Sequence, residues 1–166
     1  MTEKAKMIYS LTCLFLLTCI AHSSNASSSY KAWLSYQRID NQNTLNSYQN
    51  LFQELSVAGT NPIIQSSIKE LQVGLKAMLQ TDLKISNSFS KGLIIGTDRE
   101  LSKKGIVLDV SKLSNEGFLL QSDDQKLILS AKSDIGLLYG SFHILRLIQT
   151  QQALNTLDLK ENPKIK

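Results

Sequence analysis

A chain of 166 residues and 18.5 kDa holds one ordinary domain and is too short for a large enzyme barrel, which takes ~250 residues. With 42% hydrophobic and 19% charged residues, 8 Gly and 2 Pro, it is too apolar for disorder and too poor in glycine and proline for a collagen-like or linker sequence. The net charge of +4 is scattered, with no basic block longer than Lys103-Lys104, so no phosphate-gripping arm is visible and no nucleic-acid partner is expected.

At the N-terminus, Lys4 and Lys6 precede an apolar run over residues 7–21, and Ser24-Asn25-Ala26 supplies the small residues that a signal peptidase reads. The pattern predicts an export signal over residues 1–26 and a mature domain over residues 27–166, periplasmic or extracellular. About 15 apolar residues fall short of the ~20 that a spanning helix needs, so no membrane partner is expected after signal removal. A lipoprotein is the alternative, because Leu16-Leu17-Thr18-Cys19 has the outline of a lipobox, although Thr18 is a poor residue before a modified cysteine. Cys13, Cys19 and His22 all lie in the predicted signal, which leaves the mature chain with His143 as its one imidazole and with no thiol. That composition excludes a disulfide framework, a cysteine-ligated metal site and a Cys-His dyad, and neither metal nor cofactor is expected.

The mature chain opens on Tyr30, Trp33, Leu34 and Tyr36, with Trp33 and Tyr36 as candidate strand or anchor residues. Residues 41–50 follow with six Asn/Gln in ten, a composition that favours a surface connection. A sugar-binding loop is the alternative there, since amides hydrogen-bond hydroxyls well. Residues 51–57 predict a short strand closed by Ala58-Gly59. Asn61 and Pro62 then have the N-cap and first-turn chemistry of a helix start. Ile64, Ile68, Leu71, Leu75 and Met78, at steps of four, three, four and three, lay an apolar stripe along that helix.

Leu93, Ile94 and Ile95 between Gly92 and Gly96 read as a buried strand, and residues 106–110 as a further one. Residues 117–121 and 126–131, apolar runs across a short polar turn, predict a β-hairpin. Adjacent Asp123 and Asp124 would point from its tip to solvent, so turn chemistry is preferred there over acid/base work. Ser133 caps a second helix, with Asp134 in its first turn. Its stripe of Leu138, Phe142, Leu145 and Ile148 is expected to pack on the sheet, leaving Tyr139, His143, Arg146 and Leu147 on a neighbouring face. His143 could serve as a base, but a lone histidine on a helix flank is more often a hydrogen-bonded packing residue. No Gly-rich phosphate loop, metal-ligand spacing, paired-carboxylate face or nucleophile elbow is present, so residue chemistry alone ends at an exported α/β domain.

The block from Glu116-Gly117-Phe118 through the hairpin to Gly136-Leu137-Leu138-Tyr139-Gly140 and on through Arg146 to Gln149 resembles the N-terminal domain of α-glucuronidases of glycoside hydrolase family 67. Its distinctive part is the Gly-x-x-Tyr-Gly-x-x-x-x-x-Arg-x-x-Gln spacing. Trp33-Leu34-x-Tyr36, the Asn61-Pro62 helix start and the ending Asn162-Pro163-Lys164-Ile165-Lys166 extend the resemblance over residues 30–166. A similar strand, hairpin and helix block occurs in family-20 β-hexosaminidases.

The resemblance implies an α/β fold of the α+β type, a small mixed β-sheet with two main helices packed on it. It also implies a role beside a (β/α)8 catalytic barrel that removes (4-O-methyl)glucuronic acid from xylan oligosaccharides by an inverting hydrolysis. Inversion takes two carboxyl groups ~6.5–9.5 Å apart, and no residue here matches the motifs that supply them, so no catalytic residue is carried over. The expected function is thus the amino-terminal, non-catalytic portion of an exported α-glucuronidase, inactive alone. Its partner is the missing barrel, and xylan-derived oligosaccharide is reached only through it. A free-standing carbohydrate- or protein-binding module and a β-hexosaminidase-like fragment are the alternatives. Residues 157–165 are expected to be poorly packed and available to the missing partner.

Overall fold

The computed structural model describes residues 35–123 and 125–163. The predicted signal, Tyr30, Trp33, Leu34 and Asp124 lie outside these residues. Six strands form one mixed sheet in the order β2-β1-β3-β5-β4-β6. They are β1 Glu54–Ala58, β2 Lys84–Ser86, β3 Gly92–Thr97, β4 Phe118–Asp123, β5 Lys126–Ala131 and β6 Asp158–Glu161. β2, β1, β3 and β5 run parallel to one another, whereas β4 is antiparallel to both β5 and β6. Among the described residues four helices accompany them: α1 Gln42–Leu51, α2 Pro62–Leu79, α3 Asp98–Ser102 and α4 Asp134–Gln149.

β3 lies between two parallel neighbours and is apolar on both faces, as its uninterrupted run requires. Leu93 and Ile95 point to the main core with Leu55, Leu127 and Leu129, beneath α1, α2 and α4. Ile94 points the other way, into a smaller cluster with Ala58, Leu101 of α3 and Ile128. Each such side chain removed from water contributes about 1.5–3 kcal/mol, so the sheet is held from both sides, more thickly on the helical one. α2 starts as predicted, with Asn61 Oδ1 accepting from the N–H groups of Ile63 and Ile64 at 3.0 Å. From its predicted stripe Ile64, Leu71, Leu75 and Met78 are buried and Ile68 packs against the same core. The hairpin is also as predicted, with β4 and β5 paired from Phe118↔Ala131 to Asp123↔Lys126.

Five expectations need correction. Residues 41–50 are not a loop: they form most of α1, capped by Asn41, whose Oδ1 accepts from Thr44 N–H at 3.1 Å. Leu45, Tyr48 and Phe52, at steps of three and four, put one apolar stripe into the core and override the poor helix propensity of the amides. The strand expected over residues 51–57 begins at Glu54 for the same reason, because Leu51 still belongs to α1.

Residues 106–110 form no strand. Their alternation is real, since Ile106, Leu108 and Val110 turn toward the smaller clusters while Val107 is 83% exposed, but no strand among the described residues pairs with them.

The buried face of α4 is rotated from the expected one. Leu137, Gly140, Ser141, Ile144, Leu145 and Ile148 are buried, and Phe142 is 38% exposed. Gly136 and Gly140 decide this: they lie one turn apart on the side facing the sheet and let the helix axis approach it, where a β-carbon at Gly140 would strike Leu129.

Finally, the tail is not loose. β6 pairs with β4 from Phe118↔Glu161 to Gln121↔Asp158, and Asn162 Oδ1 accepts from Ser114 N–H at 2.6 Å while its Nδ2 donates to Lys112 C=O at 3.2 Å. Leu157 and Leu159 add their side chains to the main core.

Candidate functional site

A cleft of about 460 Å³ opens across the amino ends of the parallel strands. α1 supplies Ser47, Tyr48, Asn50 and Leu51; the starts of β1, β3 and β5 supply Gln53 and Glu54, Lys91 and Gly92, and Gln125 and Lys126. Leu154 and Asn155, in the connection between α4 and β6, close the wall. The floor is firm. Tyr48 is buried and its hydroxyl donates to Gln152 C=O at 2.6 Å, and Ser122 Oγ donates to Leu154 C=O. Burial raises the pKa of the Tyr48 phenol, so the hydroxyl stays a neutral donor.

The charges of the cleft are paired. Lys91 Nζ lies 2.8 Å from Glu54 Oε1, and Lys126 Nζ lies 2.8 Å from Asp123 Oδ2. The Lys91 hydrogen bond holds the Glu54 carboxyl below its ordinary pKa, with further help from Ser86. Glu54 is therefore ionised at neutral pH and is the one carboxylate lining the cleft among the described residues. A general acid needs the opposite shift, and an inverting hydrolysis needs a second carboxyl group across the substrate. Besides this ion pair, the described lining is rich in amide and hydroxyl side chains: Ser47, Asn50, Gln53, Gln125 and Asn155.

Asp123 lies at the hairpin end in its ion pair with Lys126, and its expected neighbour Asp124 lies outside the described residues. His143 is elsewhere. Its ring packs on Phe118, with centroids 5.2 Å apart and planes tilted by 56°, and Phe118 pairs with Ala131, at the opposite end of the ladder from Lys126. Arg146 Nη2 lies 3.2 Å from His143 Nδ1; a guanidinium only donates, so Nδ1 accepts and the ring proton belongs on Nε2. This is the packed, hydrogen-bonded histidine expected from the sequence. Burial and the Arg146 charge lower its pKa below the ordinary imidazole value, against an opposing pull from Glu161.

The unfolded chain binds a proton at His143 near pH 6.5 while the folded one resists it, so stability is full above that pH and is lost as pH falls toward the folded pKa. The urea midpoint should drop between pH 7 and pH 5.5, and His143→Gln should flatten the drop. An unchanged slope in the variant would assign the effect to other groups.

Among the described residues no group of three or more His, Cys, Asp or Glu side chains could hold a metal ion. The strongest carboxylate perturbation is structural: Asp109, bonded to Ser111 Oγ and to Lys160 Nζ at 3.0 Å, is held far below the usual carboxylate range and ties the loop before β4 to β6. The cleft itself went unseen in the sequence because its residues come from four separated stretches. Only the amide-rich segment around Asn50 carried a signal for it.

Solved structures that match part of the chain include a family GH115 4-O-methyl-α-glucuronidase with specificity for decorated arabinogalactans, at 21% identity and a TM-score of 0.49, covering 65% of this chain and 17% of that one. A GH138 enzyme targeting pectin rhamnogalacturonan II matches at 10% identity and 0.47, covering 66% and 12%. A GH20 exo-β-N-acetylglucosaminidase from Vibrio harveyi matches at 17% identity and 0.42, covering 58% and 13%. The chain thus spans less than a fifth of the length of each of these enzymes. No curated protein matches its sequence. Its family is nonetheless defined: matching from residue 32 to residue 144, more than half of its length, the chain belongs to the family described as the N-terminus of glycosyl hydrolase family 67.

Proposed function

We propose that this chain is the amino-terminal, non-catalytic portion of an exported α-glucuronidase that removes (4-O-methyl)glucuronic acid from xylan oligosaccharides. The family match over residues 32–144 carries this reading. In it, residues 1–26 are a cleaved export signal and residues 27–166 an accessory domain. A (β/α)8 barrel is its partner and holds both catalytic carboxyl groups. The single, ion-paired Glu54 in the cleft supports a domain that does no hydrolysis of its own. No described helix is long and apolar enough to cross a membrane.

Interdomain surfaces within one chain commonly bury ~600–1,500 Å² and are fairly polar, which leaves a domain able to fold apart from its neighbour and to rebind it. Light scattering of the chain mixed with a separately expressed family-67 barrel should therefore show a one-to-one complex of modest affinity. A strictly monomeric chain with no affinity for the barrel would instead favour a free-standing carbohydrate- or protein-binding module. That second reading draws on the ordered tail, where β6 pairs with β4 along the edge of the sheet.

A further inference from the structure

The exposed side of α1 has no part in the core, yet it brings its amides to the one cleft described above. Ser47 and Asn50 on α1, Gln53 before β1, Gln125 before β5 and Asn155 after α4 all line that cleft and are exposed. None of their side chains is engaged in a hydrogen bond to another described residue. We propose that this cleft is a binding site for a neutral, hydroxyl-rich ligand, a short oligosaccharide, separate from any catalytic centre.

Three observations converge on that class. The volume of about 460 Å³ falls within the ~300–1,000 Å³ of small-ligand sites. Amide and hydroxyl side chains offer both donors and acceptors, as a sugar hydroxyl needs, and here they come from four segments around one concavity. The cleft is also poorly suited to an anion. Lys91 and Lys126 are neutralised by Glu54 and Asp123, and the carboxyl end of α1, at Asn50 and Leu51, turns the negative pole of the helix toward the ligand. A phosphate or a nucleic acid would meet paired lysines and a repelling dipole. The firm floor at Tyr48 and Leu154, fixed by the Gln152 and Ser122 hydrogen bonds, limits the reorganisation that binding would require. Tyr48 is only 3% exposed, so it offers no stacking face, and the affinity is accordingly weak, in the millimolar range.

This inference does not depend on a barrel partner, because its probes are neutral and no hydrolysis is read. Amide and side-chain NMR shifts of the whole chain would be followed during titration with xylotetraose and cellotetraose, and with inorganic phosphate as the anionic comparison. At least one tetrasaccharide should move the signals of Ser47, Asn50, Gln53, Gln125 and Asn155 with saturation, and phosphate should not. The double variant Asn50→Ala with Gln125→Ala should weaken binding about tenfold or more while leaving the thermal midpoint in place, since neither side chain is hydrogen-bonded to another described residue. Asn155→Ala, in the exposed connector, gives the same test away from α1 and the hairpin. Shifts absent for both sugars, scattered outside the cleft, or reproduced by phosphate would overturn the assignment.

Discussion

Leu129→Ala is expected to destabilise the domain by about 3–4 kcal/mol, the cost of removing a fully buried leucine from a site that cannot collapse. Leu129 lies on β5 directly beneath α4, where a β-carbon at Gly140 would meet its terminal methyl groups and come within 3.2 Å of Phe118 Cγ. Gly140→Ala alone should therefore cost about 1–3 kcal/mol through overpacking, although alanine is the better helix former. The pair should not be additive. Alanine at position 129 vacates the space that alanine at position 140 needs, so the double variant should be more stable than the sum of the single effects by about 1 kcal/mol or more. Urea unfolding of the four proteins measures the coupling, and strict additivity would mean that α4 does not rest on Leu129 as described.

The second large effect is at Gly92, where β3 begins at φ +79° and a β-carbon would collide with the backbone carbonyl of Glu54 on β1. A backbone oxygen in a strand cannot turn aside as a side chain can. Gly92→Ala should cost on the order of 3 kcal/mol, combining the left-handed backbone penalty with the forced separation of β1 and β3. Gly105 provides the control. It has the same φ of +79° but nothing within 4 Å of its would-be β-carbon, so Gly105→Ala should cost only about 1–2 kcal/mol. Equal losses at the two positions would show that the contact with Glu54 contributes nothing.

These two sites also mark where the sequence is readable and where it is not. The start of α2 could be read because Asn61, Pro62 and the stripe from Ile64 to Met78 all point to one structure. β3 and the hairpin were equally legible, since short apolar runs bounded by glycine or polar turns have few other uses. α1 was hidden because amides dominate its composition, while its fold is decided by Leu45, Tyr48 and Phe52. The orientation of α4 is not legible from its large apolar residues, because small ones set it. Gly136 and Gly140, four apart, are what set its close approach to the sheet. Pairing of β6 with β4 bridges residues some forty apart, and the cleft draws on residues from Ser47 to Asn155, which no local spacing records.

In the proposed function this domain contributes no catalytic group. Release of (4-O-methyl)glucuronic acid from aldouronic oligosaccharides tests it directly, with the chain alone, a family-67 barrel, and the two joined in one polypeptide assayed side by side. The chain alone should give no product above a blank, and the joined polypeptide should release the sugar acid with inversion at the anomeric carbon. Release by the chain alone, abolished by Glu54→Gln or His143→Ala, would contradict the account.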